Sequence, residues 1–595
     1  TEANGVLTFV NERLDIEAMD AAFLDQPIQV DLSARQNQTY ELDFDVSGSW
    51  DIEQSLERFQ IDLEDKLSGT FEYQLGVDIS VDKQDYTYAA LLSSDLLTTN
   101  SSLPFPLNKS EGQIKVVEVE AKGDKIASMI SVSIDDDVHF DGTLPHKEKQ
   151  FNRAHLSLGQ TDMQPTSMGV GFSISANLDQ LVFDDWFTAL KGISAAGTGD
   201  SQNRILGVPE RIFLNIERFN IGGYNLTDVN SITRHNEDNW TIDFNSDQAR
   251  FSALIDEQLY AQGISVDADY IKLTSNDIAG ATVEKSPLDL DPKKLPPLDF
   301  NCSDCTFKQY KLGKIELETT PNSDGLTVEQ LLVEGNSANL IAKGQWYKGA
   351  EDHYTYFAGD FNSGDVGLFL QSLNVDAGIR DSGANVGFAL TWDDSPFDFK
   401  GENLNGELKW NLSDGYLSEV SDKGSRIFTL LSLDSLVRKL SLDFRDVFAK
   451  GFFYDEMGGT ISITQGKADT RDTLIDGAAG EIEIYGYTDL ATKALNYNVS
   501  FTPNVTGNLP VLVYFFTVSP PSALAALALD QVLTSAKVIS NVNYSVTGTI
   551  DEPILIETGR QSTEVELPAR VPENDVSSTP FVAPIPEDFL KFETQ

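Results

Sequence analysis

Apolar and polar residues alternate with a period of two along most of the chain. Phe172/Ile174/Ala176, Ile212/Leu214/Ile216, Trp240/Ile242/Phe244 and Ile264/Val266/Ala268 are interleaved mostly with Asn, Asp, Ser, Lys and Glu. So are Val386/Phe388/Leu390/Trp392, Leu408/Trp410/Leu412, Leu495/Tyr497/Val499/Phe501 and Val542/Tyr544/Val546. Successive side chains of a strand point to opposite faces, so this spacing predicts antiparallel strands with one apolar and one wetted face. Ser323-Asp324-Gly325 and Ser413-Asp414-Gly415 carry residues that suit hairpin turns. Helical periodicity is scarce. Asp184–Leu190 reads as a short helix, and Ser425–Leu440 as an amphipathic one with Ile427, Leu430, Leu431 and Leu433 on one side. Ser522–Val538, rich in Ala and Leu, reads as a third.

One three-strand unit recurs. Gly335-Asn336-Ser337-Ala338-Asn339-Leu340-Ile341-Ala342-Lys343-Gly344 returns 142 residues later as Gly477-Ala478-Ala479-Gly480-Glu481-Ile482-Glu483-Ile484-Tyr485-Gly486. An alternating strand precedes each copy (Ile315/Leu317; Ile461/Ile463), then a second (Val328, Leu331, Val333; Leu474, Ile475). Chains built by repetition grow in one dimension and present surfaces or conduits.

The apolar strand faces have two possible ends. They close on one another in a sandwich or barrel core, or the sheet curls into a trough whose inner face stays open to lipid chains. Repetition and the scarcity of covering helices favour the trough. Some 30 strands at about 4.8 Å each would extend on the order of 140 Å.

Composition narrows the chemistry. The 595 residues, 41% hydrophobic, suffice for a real core. Ninety-three acidic against 43 basic residues leave a net charge of −50, which repels nucleic acid. The two cysteines, Cys302 and Cys305, cannot fill a zinc site, and the five histidines show no ligand spacing. A local disulfide or a free thiol pair pinning a turn is the expected state. There is no nucleophile elbow, phosphate loop or His-Glu-x-x-His, so neither catalytic residues nor a cofactor is expected. Asp135-Asp136-Asp137 lacks the spaced ligands of a calcium loop and reads as a solvated turn.

The ends and joints are legible in composition. Thr1 follows no signal-like segment and reads as the start of an excised or processed piece. Pro287–Pro297 reads as a junction, and residues 567–595, rich in Pro, Glu and Ser, as a tail. The apolar stretch at Pro510–Pro521 is too short and too broken by proline to span a membrane.

From residue 404 a resemblance emerges. Leu404-Asn405-Gly406-Glu407-Leu408-Lys409-Trp410, Asp414-Gly415-Tyr416 and Leu440-Ser441-Leu442-Asp443-Phe444-Arg445-Asp446-Val447-Phe448 are followed by Asp476-Gly477-Ala478-Ala479 and Gly486-Tyr487-Thr488-Asp489-Leu490. With the terminal Val546-Thr547-Gly548-Thr549-Ile550-Asp551-Glu552-Pro553, this order resembles the C-terminal region of AsmA-like proteins over residues 404–555. Upstream of about residue 300 only the β-pattern is compatible.

The resemblance implies a Gram-negative envelope protein in the periplasm, held in the inner membrane by an anchor absent from this segment. It implies a mostly β fold: an elongated, twisted antiparallel sheet curled into a hydrophobic groove, with a few short capping helices. Residues 1–296 would form the N-terminal part of the groove. Residues 297–566 would form the AsmA-like β region, with helices near 425–440 and 522–538. The implied partners are phospholipids and the inner leaflet of the outer membrane, and the implied activity is movement of glycerophospholipids between the membranes. Phe388, Leu390, Leu408, Leu412, Tyr497, Val499 and Phe501 are the expected groove lining. Val511, Leu512, Val513, Phe515 and Phe516 would touch the outer membrane or cap the end of the sheet. The rival expectations are an assembly scaffold for outer-membrane proteins and a β-rich surface protein with a closed core.

Overall fold

The computed structural model describes residues 4–566 apart from 12, 24–25, 37–38, 60–65, 160–168, 197–204, 275–290, 350–351, 374, 376, 419–451, 479 and 504–534. The chain forms two units: the described residues of Thr1–Asp376, Arg380–Leu412 and Ile461–Ala468, and those of Ala377–Ile379, Ser413–Thr460 and Asp469–Gln595.

The first unit opens with β1 (Asn4–Val10), β2 (Arg13–Phe23), β3 (Gln26–Gln36), β4 (Tyr40–Asp51), α1 (Ile52–Phe59), β5 (Leu67–Val81) and β6 (Tyr86–Ser94). A short β7 (Thr99–Ser101) precedes β8 (Val117–Asp124), β9 (Ala127–Ile134), β10 (Val138–Pro145), β11 (Arg153–Leu158) and β12 (Gly171–Val182). Then come α2 (Phe183–Ala196), β13 (Pro209–Ile221), β14 (Tyr224–His235), β15 (Asn239–Asn245), β16 (Ala249–Asp256), α3 (Leu259–Gln262) and β17 (Ile264–Leu273). The run closes with β18 (Leu298–Phe307), β19 (Tyr310–Asn322), β20 (Gly325–Glu334), β21 (Ala338–Lys348), β22 (His353–Ser363), α4 (Val366–Ser372), the two-residue β23 (Ile379–Arg380) and β24 (Gly383–Asp393).

These strands form one long, curled, unclosed sheet in sequence order. Apart from the side strand β7 and the short β23, each strand pairs with the one before it, and the pairing is antiparallel except at β11–β12, β12–β13 and β17–β18. At the last of these, Ile264 stands opposite Leu298, so the sheet runs through the Pro-rich segment, where Pro292–Lys294 make a single 3-10 turn. Following strand direction through the three parallel joints puts the ends of β4, β12 and β22 at one rim, so α1, α2 and α4 all arise there. Each helix turns apolar residues inward: Leu56, Ala189 and Val366 are buried. The opposite rim carries tight hairpins such as Asn322–Gly325, as Ser323-Asp324-Gly325 predicts.

β25 (Asn405–Leu417), β26 (Phe452–Thr464) and β27 (Lys467–Gly477) follow. Ser413-Asp414-Gly415 is not a hairpin turn. It lies within β25, where Asp414 takes a φ of 46°, a left-handed conformation that Asp tolerates. The second unit then carries β28 (Gly480–Asp489), β29 (Leu495–Pro503), β30 (Ser535–Gly548) and β31 (Pro553–Glu566), each antiparallel to the next. The recurring unit is thus β19–β20–β21 in its first copy and β26–β27–β28 in its second. The helix expected at 184–190 is α2, longer at both ends. The one expected at 425–440 lies outside the described residues, as does the tail from 567. Of 522–538, residues 535–538 are strand rather than helix, because β30 runs on along β31 as far as Ser535–Glu566.

The polar face of the first unit holds one buried network. His155 Nδ1 lies 2.8 Å from Ser173 Oγ, and its Nε2 lies 3.0 Å from Ser175 Oγ and 3.2 Å from Ser157 Oγ. Burial pushes the imidazole pKa down, with nearby Asp141 opposing it. A depressed folded pKa means that the fold binds fewer protons than the unfolded chain near pH 6. Stability is therefore held above about 6.5 and lost as pH falls toward the folded value. His155→Asn should flatten the decline of melting temperature between pH 7 and 5. Parallel declines in both proteins would refute this.

Candidate functional site

Hydrogen-bonded register places residues directly opposite one another on the same face, so a row can be followed from strand to strand. From Met19 in β2 the partners run Val30, Val46, Leu75, Leu92, Val119, Val132, Phe140, Leu156, Ile174 and Ile212. They continue through Thr233, Ile242, Ala253, Val266, Phe300, Leu317, Leu331, Ala342 and Gly359 to Phe388 in β24. Thr233 is the one polar member. At about 4.8 Å per strand the row runs for roughly 100 Å.

The register one residue away gives the opposite result. Asp31, Asp45, Gly76, Leu91, Glu120, Ser131, Asp141, His155 and Ser173 lead to Arg211, Arg234, Thr241, Leu254, Ser265, Asp299, Glu318 and Gln330. This face takes most of the charge. Its ion pairs, such as Arg234–Asp243 and Lys272–Asp304, are exposed and add little stability. Two dents of about 860 and 830 Å³ open near β2–β6 and β4–β10, lined largely by polar-face residues such as Asp20, Gln29 and Glu72 or Asp43, Asp78 and Lys122. None of their lining residues belongs to the apolar row.

Burial across the apolar face is graded. Near the helix rim Leu178, Leu181, Ile216, Phe219, Leu226 and Val229 form a buried cluster on which Trp186 of α2 packs. Along the row most members are only half-buried: Leu75, Val119, Ile174, Ile212, Ile242, Val266, Phe300, Leu317 and Phe388 among them. Face-to-face sheet packing would bury them as fully as Ile216 is buried where α2 packs. The row is instead left half-open on one face of the curled sheet.

The expected lining residues fall into two groups. Phe388 and Leu390 lie on one face of β24, opposite Gly359 and Phe357, and are half-buried. Leu408 and Leu412 lie on β25, whose Gly406 abuts Ala389 of β24; Leu408 is half-buried and Leu412 buried. Tyr497, Val499 and Phe501 share a face of β29 in the second unit. They stand between Gly486, Ile484 and Ile482 on one side and Val546, Tyr544 and Val542 on the other. There Val499 and Phe501 are buried, and half-buried Tyr497 bonds Thr488 Oγ1 through its hydroxyl at 2.7 Å. Burial raises the Tyr497 pKa.

The N-terminal part of the row was not anticipated residue by residue, although Ile174, Ile212, Ile242 and Val266 belong to alternations visible in the sequence. Val511, Leu512, Val513, Phe515 and Phe516 lie outside the described residues. Cys302 and Cys305 form a disulfide, not across a turn but within β18, beside Ala268 and Ile315. Asp135 accepts the Val116 N–H at 2.8 Å, and Lys115 lies 3.4 Å from Asp137, so this acidic turn closes a loop. Among the described residues no group of His, Cys, Asp or Glu is arranged to hold a metal, and no helix is long and apolar enough to cross a membrane.

An apolar row carried through successive strands of one open sheet is an architecture of repetition. Residues 1–555 match the family described as YhdP protein. The chain belongs to the YhdP family. The family match begins at residue 1, well upstream of the motifs at 404–555. Among curated proteins the chain is similar to the intermembrane phospholipid transporter YhdP of Escherichia coli (strain K12), 24% identical over 569 residues. That alignment covers 94% of this chain and 44% of the relative, so the chain spans a little under half of the relative's length. No solved structure matches.

Proposed function

We propose that this YhdP-family chain conducts glycerophospholipids, with acyl chains lying along the apolar faces and headgroups in water. The observation that carries the reading is the row from Met19 to Phe388, apolar at every strand but for Thr233 and half-buried along most of its length. Each CH₂ sheltered there gains roughly 0.8 kcal/mol, and a continuous row lets a lipid advance without losing that gain between strands. The buried cluster under α2 favours tails pointing toward the helix rim and headgroups leaving over the hairpins. The relative's intermembrane phospholipid transport supports the same reading, and in this reading the chain is a bridge through the periplasm between inner and outer membranes. No chemical step is assigned to it.

The test is native mass spectrometry of the whole chain after expression in a Gram-negative periplasm, with extraction of bound lipid. Several phospholipids per chain are expected. A folded protein that carries none would favour the closed-core or scaffold alternatives.

A further inference from the structure

We propose that the second unit's apolar face ends in a recognition site for an amine-bearing zwitterionic phospholipid headgroup, with its phosphate on Arg560 and its ammonium on Glu557. The inference rests on the reading that apolar faces of this chain take acyl chains.

Across β28, β29 and β30 the face is apolar: Ile482, Phe501 and Val542 stand in one row, and Ile484, Val499 and Tyr544 in the next. On β31 the character changes. Leu555 faces Val546, but Glu557 faces Tyr544 and Arg560 faces Val542. Residues three apart on a regular strand point to opposite faces. Here the register shifts between Asn543 and Tyr544, and this bulge turns both charges to the apolar side. The two side chains then meet in a fork, Arg560 Nε on Glu557 Oε1 and Nη2 on Oε2, both at 2.9 Å.

Each side chain is about one-third exposed, 35% for Arg560 and 31% for Glu557, so both are reachable. The fork uses two of the five guanidinium N–H groups and leaves the others for phosphate oxygens. The Glu557 carboxylate keeps lone pairs for an ammonium. Tyr544 is the independent sign. It is 1% exposed, and its buried hydroxyl has no partner in the described protein. Burial, and secondarily the charge of Glu557, push its pKa up to about 12, so it stays a donor. The hydroxyl is out of reach of solvent, so a phosphate or ester oxygen supplies the acceptor it lacks only as the side chains over it part for the headgroup.

Charge selects the headgroup. In a chain of net charge −50, a lone anion is repelled and Glu557 repels it again beside Arg560. A headgroup with both signs in one span meets a protein pair with both signs.

The test incubates the full chain with vesicles of equal phosphatidylethanolamine and phosphatidylglycerol, re-isolates it, and measures the class ratio of bound lipid. The site itself should prefer phosphatidylethanolamine by roughly five- to tenfold, the scale of one charge-assisted contact. Because lipids elsewhere on the chain keep the vesicle ratio, the total should be enriched by the equivalent of about one lipid per chain. Arg560→Ala should return the ratio to that of the vesicles, and Glu557→Gln should shift it toward phosphatidylglycerol, with total bound lipid within about twofold. Arg560→Lys, which keeps the charge but loses the fork, serves if the alanine variant does not fold. Tyr544→Phe should reduce the enrichment while leaving the melting temperature equal or higher. Unchanged ratios in all variants, or a wild type at the vesicle ratio, overturn this site but not lipid conduction. Equal binding of soluble glycerophosphoethanolamine overturns it as a lipid site. A wild type without any lipid overturns both.

Discussion

A carboxylate at position 266 will slow lipid movement along the first unit by about 100-fold while leaving the sheet folded. Val266 lies in the middle of the apolar row, between Ala253 and Phe300, and is half-buried. With no lipid present, an aspartate there keeps contact with water, so Val266→Asp should cost only about 1–2 kcal/mol of stability. A passing acyl chain must strip that water. The cost of an ionised side chain against hydrocarbon, about 2.5–3.5 kcal/mol on insertion scales, becomes a barrier of roughly two decades in rate. Val266→Thr is the internal control: Thr233 already sits in the row, so one further hydroxyl should leave transfer within a few-fold of wild type. The measurement is transfer of a fluorescent phospholipid between donor and acceptor vesicles, with melting curves for each variant. Equal rates for the aspartate and threonine variants would remove the row from the path.

The alternation of single strands was legible in the sequence because side-chain direction follows from backbone geometry alone. Ile212/Leu214/Ile216 and Leu495/Tyr497/Val499/Phe501 needed nothing more. Which residue stands opposite which was not legible. Register depends on turn length, on bulges such as that between Ile16 and Met19, and on three parallel joints whose connections carry no alternation. For that reason candidate lining residues could be named only strand by strand in the C-terminal part, while the continuity of an apolar row from β2 onward appeared only in the fold. Ser413-Asp414-Gly415 misleads for a related cause. Asp tolerates positive φ within a strand as it does in a hairpin, and composition does not separate the two. The Glu557–Arg560 pair escaped notice because its shared face exists only through a register shift.

Gly486→Val should be among the most disruptive single substitutions in the second unit, at about 3–5 kcal/mol. The reason lies in the repeat. Gly344 and Gly486 close the two copies, and each stands opposite an aromatic residue of the next strand, Phe357 and Tyr497. A Cβ on Gly344 would lie 2.5 Å from Tyr356 O, and one on Gly486 would lie 2.1 Å from Asn496 O. These distances are far inside van der Waals contact, and the obstructing atoms are backbone. Gly486 also has a φ of +145°, where a side chain adds strain of order 1–3 kcal/mol. The strands must separate, and each ladder bond lost costs about 1 kcal/mol more. Gly364, with nothing within 4 Å of its would-be Cβ, is the matched control, and Gly364→Ala should change stability by less than about 0.5 kcal/mol. Urea unfolding followed by Tyr and Trp fluorescence, with limited proteolysis to locate the opening, reads both. A Gly486→Val protein as stable as wild type would mean that the repeated glycine marks ancestry alone. A protein that opens at β28–β29 first would show that close approach of backbone to aromatic is what the repeat preserves, and that the face carrying Tyr497 and Val499 depends on it.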